Sequence, residues 1–131
     1  MPETINLPLN PLQVAVHDRL AEHGIEMVDH YDADKMSFPL VHFGGIEGNQ
    51  DDDQDNTIHQ MEFIVEVWSE KEGYREANKI LNQVATALES ELVVEGFNVI
   101  IYRRGRWSVR TEGGLKVAEH RRVLEMNEIA A

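Results

Sequence analysis

Thr57-Ile58-His59-Gln60-Met61-Glu62-Phe63-Ile64-Val65-Glu66-Val67-Trp68-Ser69-Glu70-Lys71-Glu72 decides the fold. Thr57, His59, Met61, Phe63, Val65 and Val67 fall on one side of an extended chain; Ile58, Gln60, Glu62, Ile64, Glu66 and Trp68 fall on the other. A period of two sustained from Thr57 to Trp68 is a strand with one buried face. Ser69 to Glu72 then has the form of a capping box, in which the serine hydroxyl takes a free helix amide and Glu72 reaches back to the serine's own. Tyr74, Ala77, Leu81, Val84 and Leu88 make one helical stripe beyond it, so a helix is expected over about 70–89. No reactive group stands out on either element, which suits packing and assembly rather than chemistry.

N-terminal to this unit, residues 1–9 read as a flexible arm. Asn10 as N-cap and Pro11 at the first helical position begin a helix from Pro11 to His23, with Leu12, Ala15, Val16 and Leu20 as its stripe and Gly24 as its left-handed stop. Met27, Val28 and Tyr31 suit a short strand, and Phe38 to Phe43 a longer one opening at a proline. Gly44, Gly45 and Gly48 loosen the chain after it through a bulge. Gln50 to Asn56 is an acidic loop at a hairpin tip. Beyond the second helix, Phe97, Val99 and Ile101 alternate with Asn98, Ile100 and Tyr102 as strand four, which extends to Trp107 and Val109 with a bend at Gly105. Trp107 shares the parity of Phe97, Val99 and Ile101 and is expected in the core. Thr111 to Gly114 has hairpin-turn chemistry. Leu115 to Ile129 has helix propensity, but Val117, Val123, Leu124 and Met126 share no helical face, which favours a strand paired with strand four. The expected fold is α+β: a mostly antiparallel or mixed sheet of about four to five strands, packed by two helices near 11–23 and 70–89, in one domain spanning 1–131.

A chain of 131 residues buries enough surface to fold without a staple. It has no cysteine, so neither a disulfide nor a thiolate site is possible. No apolar run reaches membrane-spanning length, and Met1 to Thr4 lacks the basic start of a secretory signal; a soluble protein of the cytoplasm is the default expectation. The net charge of −12 argues against wrapping nucleic acid. Charge is also unevenly placed. Arg103 to Arg122 carries seven basic residues against Glu112 and Glu119, which leaves the rest at about −17. One acidic and one basic zone suit head-to-tail contact between copies, and pairing inside one chain is the plain alternative.

Candidate chemistry is sparse. Asp51, Asp52, Asp53 and Asp55 lack the mid-loop glycine and closing helical glutamate of a calcium loop. A self-repelling hairpin tip, or a contact for the arginines, explains them better. His42 and His59 are expected to lie near one another across a hairpin, yet two histidines without a third ligand do not make a zinc site. No serine sits in a nucleophile elbow, and Gly44 to Gly48 lacks the lysine and helix of a phosphate loop. No catalytic residue, metal or cofactor is expected. Arg103, Arg104, Arg106 and Trp107 form the one basic-aromatic cluster, and Arg104, Arg106 and Arg110 share a face that suits a neighbouring subunit.

The order of these features resembles the tail completion (tail terminator) proteins of long-tailed phages and prophages. The resemblance lies in the Leu12 to Leu20 helix, the Phe38-Pro39-Leu40-Val41 strand start, a polar gap, and Thr57 to Ser69 leading into the Tyr74 to Leu88 helix, followed by a late hairpin. It covers about residues 11–128 and tips the last segment toward a strand. It implies a non-catalytic domain whose copies close a hexameric ring on the head-proximal end of the tail tube. The partners it implies are self, the tail tube protein and a head connector or stopper protein, with DNA only passing through the lumen and no membrane. It implies a place in the virion tail, with assembly in the host cytoplasm. A head–tail connector component and an acidic DNA-mimic regulator are the rival readings. Asp51, Asp52, Asp53, Asp55, Arg103, Arg104, Arg106 and Arg110 are the candidate interface residues.

Overall fold

The alternating stretch forms β3, Thr57–Ser69, in the interior of a six-stranded sheet. In this computed structural model, residues 5–52 and 57–129 are described. They run α1 (Leu9–Glu22), β1 (Met27–Val28), β2 (Leu40–Asp52), β3, α2 (Arg75–Ala87), β4 (Phe97–Tyr102), β5 (Arg106–Glu112) and β6 (Leu115–Glu128). The sheet order is β1-β2-β3-β6-β4, with β5 also on β6. β1 is parallel to β2, and every other pairing is antiparallel. The fold is α+β, as expected.

β3 obeys its sequence period. His59, Met61, Phe63, Val65, Val67 and Ser69 are buried, and the residues between them are half-buried. Leu12, Val16 and Leu20 of α1 and Ala77, Leu81, Val84 and Ala87 of α2 complete the core. Each wholly buried large side chain such as Phe63 contributes about 1.5–3 kcal/mol relative to exposure. β6 supplies Ala118, Leu124 and Met126, and on the same face Arg122 lies opposite Phe63 and His120 opposite Val65.

Several local expectations are corrected. α1 begins at Leu9 with Pro8 at its cap, so Asn10 is no N-cap; Pro11 falls at the third helical position, where an amide would lack a partner in any case. Gly24 does close the helix, at φ +75°, with its amide donating to the Ala21 carbonyl and that of Ile25 to Leu20. The capping box does not form. Gly73 takes φ +75° and adds a turn, so α2 starts at Arg75. Ser69 stays in the strand, accepting from the Lys71 amide at 3.2 Å and donating to Glu76 of the first helical turn at 2.7 Å.

β2 runs on to Asp52 rather than stopping near Phe43. A bulge between Phe43 and Gly45 carries it past the glycines. Gly48 belongs to the ladder: a β-carbon there would overlap Met61 and stand 2.7 Å from the Gln60 carbonyl oxygen. The aspartate loop is therefore shorter than expected, and Asp53 and Asp55 lie outside the described residues.

Strand four proves to be two strands. β4 pairs with the second half of β6 and β5 with the first, joined by Arg103–Gly105. Gly105 presses on the His120 imidazole, where any β-carbon would overlap the ring. A second bulge leaves Ile100 unpaired, since Val99 faces Met126 and Ile101 faces Glu125. Trp107 is not a core residue. It lies opposite His120 on the helix side of β5, but the helix layer leaves it 72% exposed. Gly113 and Gly114, both at positive φ, make the two-residue turn into β6, which settles the last segment as a strand.

Candidate assembly surface

The sheet face away from the helices carries the charge. Its residues are the even-numbered set of β3 and their neighbours on β2, β5 and β6. Arg110 reaches Glu66 at 3.0 Å, Glu112 at 3.0 Å and Glu119 at 3.4 Å. Arg121 reaches Glu119 at 2.6 Å and Glu62 at 3.0 Å. His42 Nδ1 stands 3.3 Å from Glu66. These groups form one chain across four strands. Burial opposes the charge on Arg110, but hydrogen bonds to Glu66 and Glu112 outweigh it and raise the guanidinium above its ordinary range. At the β1 end the same face is covered by Tyr31, whose ring lies 5.5 Å from both Phe38 and Trp68.

The arginines expected at an interface thus differ in their commitments. Arg110 is held by three carboxylates. Arg103 lies 3.8 Å from Glu125. Among the described residues, the side chains of Arg104 and Arg106 have no hydrogen bond or ion pair, and both are exposed. Asp51 lies opposite Ile58 near the end of β2, and Asp52, its last residue, pairs with Thr57. Arg106 lies opposite Arg121, which faces Ile64. Six residues of β3 separate these rows, about 20 Å at the usual rise, so Asp51 and Arg106 do not meet within one chain.

The histidine pairing is corrected. His42 sits on the outer face opposite Glu66, whereas His59 is buried on the helix side opposite Gln50 and edge-on to Phe97 at 5.6 Å. Among the described residues no three His, Asp or Glu side chains converge as metal ligands.

A buried polar cluster escaped the sequence reading. Arg122 is 3% exposed, donates to the Arg103 carbonyl at 2.9 Å, lies 4.6 Å from the Tyr102 ring centre and stands 3.9 Å from Glu89. Tyr102 donates to the Leu88 carbonyl at 2.6 Å. Burial pushes its hydroxyl up to about 12, against the pull of Arg122 and Arg19. Burial, reinforced by Arg122, lowers the His120 imidazole to about 4. Together these groups fasten the β4–β5 corner to the C-terminal end of α2. The alternation Ala118, His120, Arg122, Leu124, Met126 carried the signal, obscured by its two basic members.

The outer sheet face is thus charged, with Arg104 and Arg106 exposed near the exposed Trp107 and with Asp51 near the far end of β2. A family described as Tail completion protein gp17 matches residues 15–124. Among solved structures, a chain of the virion of native gene transfer agent (GTA) particle is similar at 16% identity with a TM-score of 0.75, covering 94% of this chain and 99% of that one. No curated protein matches. No helix among the described residues is long and apolar enough to cross a membrane.

Proposed function

We propose, on the premise that this chain belongs to the Tail completion protein gp17 family, that it closes the head-proximal end of a tail tube as a six-membered ring. The ring ends tube growth and presents a surface to the head connector or stopper protein. The role is structural, and no residue is assigned a catalytic part. The family match over residues 15–124 carries this reading.

The charge distribution supports it. A net charge of −12 keeps free copies apart, and an acidic lumen lets DNA pass without sticking. Contact between copies then needs local complementarity, which the arginines Arg103, Arg104, Arg106 and Arg110 and the aspartates Asp51, Asp52, Asp53 and Asp55 supply from two subunits. Assembly takes place in the host cytoplasm.

Particles produced without this protein test the role. Tails of uncontrolled length, unjoined to heads, are expected; tails of normal length joined to heads would reject it. Reversing both Arg104 and Arg106 to glutamate should weaken ring assembly while the melting temperature stays within about 2 °C, since exposed charges carry little stability. An unaltered ring would remove both residues from the contact.

A further inference from the structure

We propose that neighbouring copies join their sheets edge to edge, β5 of one copy pairing antiparallel with β2 of the next. This rests on the ring reading above and names the surfaces that meet. Three features of the fold support it.

The first is open backbone. β1 pairs with β2 only at Val41 and His42, so among the described residues the outer edge of β2 from Phe43 to Asp52 has no strand partner. The outer edge of β5 has none either. Unpaired edges are templates for another strand. Direction also agrees. β2, β3, β6 and β5 are successively antiparallel, so β5 runs opposite to β2. Copies set side by side in one orientation, as head-to-tail closure needs, therefore present the two edges antiparallel.

The second is charge spacing. Glu47 and Asp51 lie four residues apart on the outer face of β2, and among the described residues neither has an ion pair. Arg106 and Arg110 lie four apart on the outer face of β5. One antiparallel register places Arg106 opposite Asp51, Ser108 opposite Asn49 and Arg110 opposite Glu47. Arg106, whose side chain is uncommitted among the described residues, is the stronger anchor; Arg110 already serves three carboxylates. Two β2 edges, or two β5 edges, would set like charges together, so the pattern selects the unlike pair.

The third is apolar. The same register brings Trp107 opposite Gln50, on the helix side. There a groove of about 210 Å³ lies between Leu7 and Leu9 and the β2–β3 residues Gly48, His59 and Met61. Leu7 is 43% exposed and Leu9 39%, so the exposed indole of Trp107 meets apolar surface that is itself uncovered. An aromatic set in such a groove beside a charged pair is the usual anchor of an interface.

The native chain has no cysteine, which makes the pairing directly readable. The full chain carrying Ser108→Cys and Asn49→Cys is assembled on tail tubes, imaged, and oxidised. Closed rings with a covalent ladder longer than dimers are expected, while each single variant, whose one cysteine faces no other, stays uncrosslinked. Rings that form but give no ladder would overturn the edge pairing and leave the ring reading intact; absence of rings with the native chain would overturn both. A charge swap supplies a second readout. Arg106→Glu or Asp51→Arg alone should lower tube capping about tenfold, and the two together should restore most of it. Failure of the pair to restore capping would likewise reject this register.

Discussion

His120 is the residue whose surroundings most constrain its chemistry. It is 1% exposed, Arg122 lies beside it, and its Nδ1 has no hydrogen-bond partner among the described residues. The folded imidazole titrates near 4 against the ordinary 6.5. As pH falls from 7, the unfolded chain therefore takes up the proton first. The contribution to stability is full above about 6.5 and is lost progressively toward 4, by on the order of 3 kcal/mol. Denaturant unfolding at pH 7 and pH 4.5 should show a smaller acid loss for His120→Gln than for the native chain; equal losses would mean that His120 is not held neutral. Gly105 depends on the same ring. Gly105→Ala must push the imidazole aside, and a loss of about 1–3 kcal/mol in unfolding free energy is expected.

At the scale of elements, the outer-face ion network and the β5–β6 hairpin hold the long strands in register. Glu119 is 7% exposed and accepts from Arg110 and Arg121. Glu119→Ala leaves two guanidinium groups facing each other without their shared acceptor, and should cost about 1–3 kcal/mol by thermal or denaturant melting. Gly113→Ala should cost about 1–2 kcal/mol, because φ +55° burdens any side chain. The strands with a clean period were legible in the sequence: β3 from its alternation, and the β5–β6 turn from Gly113 and Gly114. The bulge at the glycines was legible too, but the one at Ile100 was not, since the extra residue leaves no compositional mark and shifts the parity of Ile101 and Tyr102. The start of α2 was misread because Gly73 offers a turn that the local capping pattern does not reveal. Trp107 was misplaced for another reason. Parity gives the face of a sheet, but how far the helices extend over that face is a tertiary matter.

For the whole molecule, the balance of charge is the feature most visible in the sequence and the one that the fold organises further. Arg110, Arg121 and Arg103 are drawn into contacts within the chain, while Arg104 and Arg106 are left at one edge of the sheet. Glu47 and Asp51 stand at the opposite edge. In the ring proposed above a chain so divided meets its neighbour through unlike edges, and its family membership places it among tail completion proteins. The most direct measurement is cryo-electron microscopy of purified tails viewed end-on and from the side. Six copies of this chain in one closed ring at the head-proximal end are expected. Tails lacking the chain, or carrying it along the whole tube, would contradict it.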